Sequence, residues 1–88
     1  MTKQKFKLYR VDWIDASSES GWKKLDNIDT SHIYIHTVGW LIKETKDYLF
    51  LAQNLSSSYS YNDIMMIPKG WKVRKRIIPN NIIEYNRG

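Results

Sequence analysis

The sequence contains no cysteine, which removes a disulfide framework, a thiolate nucleophile and any cysteine-based zinc site. Glycine is scarce. The four glycines stand singly, and none lies in a GxGxxG or Walker arrangement, so there is no glycine-rich phosphate loop. No apolar run approaches the length of a membrane span. Met1 to Lys7 is polar and basic with no apolar h-region behind it. These absences predict an intracellular, cytoplasmic protein. A sustained helical period is also missing: Trp22 to Ile28 and Asn80 to Tyr85 offer at most one helical turn each.

What is present is compact and aromatic. The 88 residues are room for one domain, 1–88, and no linker or internal repeat divides them. An apolar fraction of 42% is ordinary for a globular chain and argues against disorder. Four Trp, six Tyr and two Phe are more aromatics than so small a core absorbs, so some are expected to face a partner.

Five segments read as strands. Lys5 to Ile14 alternates, with Tyr9, Val11 and Trp13 on one face and Phe6, Leu8 and Ile14 on the other. His32 to Glu44 is rich in β-branched and aromatic residues and is interrupted by Gly39, where a bulge or sharp bend is expected. A turn at Thr45-Lys46-Asp47 returns the chain through Tyr48 to Leu55. Asp63 to Ile67 is a short strand ended by Pro68, and Trp71 to Ile78 is the last, stopped by Pro79. Five strands with short turns leave edges that need closure or a second subunit. The fold class predicted is all-β: a small, strongly bent five-stranded antiparallel barrel, Sm-like in strand count. Its core candidates are Trp13, Val38, Leu41, Leu49, Leu51, Ile67 and Val73.

The chemical constellations are weak for catalysis. His32 and His36 are four apart, but on a strand that spans about 13 Å, too far for two bonds of about 2 Å to one zinc. The pairs Asp12 with Asp15 and Asp26 with Asp29 are close in sequence, where turn and cap roles dominate. No nucleophile-elbow pattern surrounds any serine. The expectation is a protein that is not an enzyme, with no metal site and no cofactor.

Charge points to an anionic partner. The formal net charge is +5, and it is segregated. Lys3, Lys5, Lys7 and Arg10 form one basic run, while Asp12, Asp15, Glu19, Asp26 and Asp29 follow it. The strongest pattern is Lys69 to Arg76. As a strand, it puts Lys72, Arg74 and Arg76 in a row about 7 Å apart, a spacing suited to phosphates. Trp71, Val73 and Ile77 then face the other way, with Lys75 among them. A charged solvent face, or an edge strand protected against misassembly, explains the same row equally well. In the serine-rich loop from Ser56 to Asn62, Tyr59 and Tyr61 make an adaptable recognition surface whose rings stack on bases. Candidate ligand-binding residues are Lys69, Lys72, Arg74, Arg76, Tyr59 and Tyr61.

Several strings resemble a type of small accessory protein often encoded by tailed bacteriophages. They are Val11-Asp12-Trp13-Ile14-Asp15, Gly21-Trp22, Val38-Gly39-Trp40-Leu41-Ile42-Lys43-Glu44, Leu49-Phe50-Leu51-Ala52-Gln53 and Ile67-Pro68-Lys69-Gly70. The resemblance spans residues 11 to 70 and implies action in the host cytoplasm. It assigns no activity and no functional residues. The chain is also similar in size, charge and lack of catalytic groups to oligomeric phage proteins that soak up nucleotide-derived immune signals. The reading that follows is a homo-oligomeric sponge for a small anionic nucleotide-like ligand. A nucleic-acid-binding module and a protein-interaction inhibitor of a host enzyme are the alternatives.

Overall fold

The computed structural model describes residues 2–14, 22, 24–27, 33–70 and 73–87. They form five strands: β1 (Thr2–Ile14), β2 (Tyr34–Glu44), β3 (Tyr48–Leu55), β4 (Tyr61–Pro68) and β5 (Arg74–Arg87), with a 3-10 turn at Leu25–Asn27 between β1 and β2. All are antiparallel in one sheet of order β4-β3-β2-β1-β5. The all-β class and the five strands agree with the sequence. The sheet is open, so the described residues form no closed barrel.

The strand bounds differ from the sequence reading where local rules compete. β5 runs through Pro79 and includes Asn80 to Tyr85, where the sequence alone offers at most one helical turn. Between the rungs Lys7↔Ile82 and Tyr9↔Ile77, β1 passes one residue and β5 passes four. Pro79 therefore sits in a bulge, where no ladder hydrogen bond is asked of it. Asn80 takes the left-handed backbone there, with φ 67, a conformation asparagine tolerates. Trp71 and Lys72 lie outside the described residues, as do His32, Asp15 and Asp29.

The same irregularity bends β1. Gln4, Phe6 and Leu8 are half-buried while Lys3, Lys5 and Lys7 are exposed; from Tyr9 onward the odd positions turn inward. One strand thus presents Phe6 and Leu8 inward at one end and Val11 at the other, where strict alternation assigns them to opposite faces. Gly39 has a different cause. A Cβ there would meet the Ala52 carbonyl oxygen at 3.0 Å and Leu51 Cβ at 3.1 Å, so close strand approach requires glycine. The register irregularity of β2 lies instead between Leu41 and Lys43.

The core is small. Val11, Leu49, Leu51 and Ile67 form the buried cluster, with Tyr9, Trp13, Leu41 and Val73 packed against it. Burying each of the four aliphatic side chains contributes about 1.5–3 kcal/mol. Buried Thr37 accepts a hydrogen bond from Trp13 Nε1 at 3.0 Å, which satisfies both polar groups. Val38, a core candidate by sequence, is 45% exposed. It pairs with Arg10 and shares the outward face of that rung.

Candidate anion-binding site

Three strands build the outward patch at the far end of β1. Arg10 stands opposite Arg76 of β5 on one side and Val38 of β2 on the other. Two residues on, Asp12 stands opposite Arg74 and His36. Between these rungs Val11 pairs with Lys75 and Thr37, and those side chains take the inner face. The alternation expected of the basic strand holds: Arg74 and Arg76 share one face and Lys75 the other.

One carboxylate organises the patch. Asp12 Oδ1 accepts from Arg10 Nε at 3.0 Å and lies 2.7 Å from His36 Nδ1. The short contact to a carboxylate assigns the proton to Nδ1 and leaves Nε2 as the free ring nitrogen. Arg10 Nη2 approaches Nδ1 to 3.4 Å because both groups serve the same oxygen. Among the described residues, Arg74 and Arg76 make no ion pair. A cleft of about 530 Å³ opens beside Arg74, lined by Asp12, Tyr34, His36, Val73 and Arg74. Its volume falls in the range of small-molecule sites.

The other candidate residues lie elsewhere. Lys69 donates to Glu44 Oε2 at 2.7 Å and to the Thr45 carbonyl at 3.0 Å. Lys75 donates to Glu44 Oε1 at 2.9 Å and sits 5.5 Å over the Tyr9 ring. Both lysines therefore tie strand ends together around Glu44. Tyr59 and Tyr61 line a separate cleft of about 250 Å³ with Gln4, Phe6, Leu55 and Tyr85. Tyr59 donates to Gln4 Oε1 and packs edge-on against Tyr85, with ring centroids 5.0 Å apart. Gln4 and Asp12 are eight residues apart on β1, about 26 Å along the strand. Within one copy, these tyrosines cannot stack on a small ligand held by Arg74. The neighbours Arg74 does have, namely Arg10, Asp12, His36 and Tyr34, were not selected by sequence. Their proximity depends on pairing register, which no local pattern encodes.

The carboxylates carry a pH signature. Hydrogen bonding from His36, then from Arg10, holds Asp12 below its ordinary value of 3.8. Lys69, then Lys75, hold Glu44 below 4.5. A carboxyl whose folded value is depressed stabilises the fold in full above its unfolded value, and that stabilisation is lost as pH falls through the folded one. The urea midpoint is expected to stay level above this range and to drop on acidification, with Glu44→Gln removing part of the drop. A midpoint that rises on acidification would contradict these pairings.

Among the described residues, no group of three His, Cys, Asp or Glu is placed to hold a metal, and no helix is long and apolar enough to cross a membrane. What the fold and patch define is an open antiparallel sheet with a cationic outer face. The chain matches no protein-family model, no curated protein and no solved structure.

Proposed function

We propose that this protein binds without catalysing: it sequesters a small anionic, nucleotide-derived ligand on the outer face of β5, β1 and β2. The observation that carries the reading is the direct opposition of Arg10 and Arg76, with Arg74 beside them and, among the described residues, only Asp12 to offset the three. Like charges facing across a ladder cost stability. An arrangement that concentrates them, with Arg74 on the wall of a cleft of about 530 Å³, is made useful by a phosphate. Tyr34, exposed on the cleft wall, offers a ring for a base. Taken with the phage resemblance, the role is an accessory protein of a phage that soaks up a nucleotide immune signal in the host cytoplasm.

The working form in this proposal is a homo-oligomer. β4 and β5 are the two ends of the open sheet, and among the described residues each has an unpaired edge. Ile64, Met65 and Met66 on β4, and Ile77 and Ile82 on β5, are exposed. The radius of gyration is 17.3 Å, against about 12 Å for a compact chain of this length. Unpaired edges, exposed apolar residues and an extended shape fit a chain whose packing a second copy completes.

Nucleic acid is the second reading, and one feature favours it. Lys3, Lys5 and Lys7 continue outward along β1 toward Arg10, although Glu84 lies 3.6 and 3.7 Å from Lys3 and Lys5. Salt separates the readings. Adenosine triphosphate is the small probe and a single-stranded oligonucleotide the long one. The proposal expects the small probe to bind with a shallow dependence on salt. A long strand neutralising several phosphates has a log–log slope of about −0.7 for each. Tight binding of the oligonucleotide alone, with a slope of several units, would replace the sponge by the nucleic-acid reading.

A further inference from the structure

We propose that the group selected by the Arg10–Arg74–Arg76 face is a phosphate monoester, a dianion, in preference to a phosphodiester. This rests on the ligand-binding reading above and names the chemistry that the same site prefers.

Arg10 and Arg76 occupy one rung and Arg74 the next. Cα atoms across a rung are about 5 Å apart, and alternate residues along a strand about 7 Å. Three guanidiniums therefore reach one phosphate-sized volume. Asp12 returns a single negative charge, which leaves a surplus of two positive charges when His36 is neutral. A monoester carries close to two negative charges at neutral pH and offers three terminal oxygens. A diester carries one charge and two such oxygens, so it leaves one guanidinium uncompensated beside two others.

Asp12 also fixes the His36 ring: it accepts a hydrogen bond from Nδ1–H, which leaves Nε2 of the neutral ring as an acceptor on the cleft side. Among the described residues, the charged groups facing His36 are Asp12 and Arg10 from β1, with Arg74 of β5 across the shared cleft.

Calorimetric titration of the intact protein near neutral pH, at low salt, tests this with adenosine 5′-monophosphate and adenosine 3′,5′-cyclic monophosphate. They share a base and differ by one charge at phosphorus. One additional charge a few ångströms from a partly screened cation is expected to give about tenfold tighter binding of the monoester. Arg10→Gln and Arg76→Gln, checked for folding by circular dichroism, are expected to narrow that ratio several-fold. Equal or tighter binding of the cyclic diester, with Arg74→Ala weakening both probes, would overturn the monoester inference and leave the binding proposal standing. Failure of both probes to bind at millimolar concentration would remove both.

Discussion

Leu51→Ala is expected to cost about 2–5 kcal/mol of stability. Leu51 is fully buried in the cluster with Val11, Leu49 and Ile67, and it sits on β3, the strand between β2 and β4. An 88-residue domain holds only about 4–13 kcal/mol in total, so the cavity consumes a substantial share. Relaxation offers little relief. The opposite Leu41 is only partly buried, and the Leu51 Cβ already lies against the backbone of Gly39. Leu25→Ala serves as the comparison: Leu25 is 87% exposed, and such surface changes stay within about 0.5 kcal/mol. Urea unfolding at one fixed protein concentration measures both, because assembly shifts apparent stability. A loss under about 1 kcal/mol at Leu51 would mean that this cluster is not the core.

The second large effect is on binding. Replacing Arg74 or Arg76 with alanine is expected to weaken the native ligand by roughly one to two decades, since a charge-assisted hydrogen bond contributes about 1.5–3 kcal/mol. The double variant is expected to lose more, though less than the sum, because both arginines address one ligand. Lys46→Ala, in the exposed turn between β2 and β3, is the control. Stability is expected to move the other way. Arg76→Ala relieves the repulsion with Arg10 and leaves no buried partner unsatisfied, so the urea midpoint stays level or rises slightly. Loss of affinity without loss of stability distinguishes a binding residue from a structural one. If both single variants bind as the parent does, the patch is a solvated or edge-protecting surface.

What the sequence reveals here follows the range of the rule being used. Alternation along one strand is local, so it placed Arg74 and Arg76 on a shared face with Lys75 opposite. Strand existence is also local, and the β-branched and aromatic runs marked all five. Alternation fails at β1 and β5 because the bulge around Asn80 depends on pairing between strands distant in sequence. The same limit explains Pro79, which punctuates an isolated strand but is tolerated in a bulge, and Val38, whose apolar side chain faces outward by register. Lys69 belonged to a basic run in sequence; only the fold brings Glu44 to it. Tyr59 and Tyr61 were grouped with the arginines by composition, and the length of β1 sets them apart. Arg10, His36 and Tyr34 went unselected because each is unremarkable alone. They come together only when β5 and β2 both flank β1.

Whether the outer face of β5, β1 and β2 holds a small phosphate-bearing ligand in an assembled protein is read most directly from the mass of the intact assembly. Native mass spectrometry of the protein recovered from the cells that produce it reports copy number and bound ligand together. The account predicts a multimer carrying a phosphorylated adduct that is released intact on denaturation, and loss of that adduct in the Arg74→Ala/Arg76→Ala double variant. A bare monomer, or an adduct that the double variant retains undiminished, would contradict it.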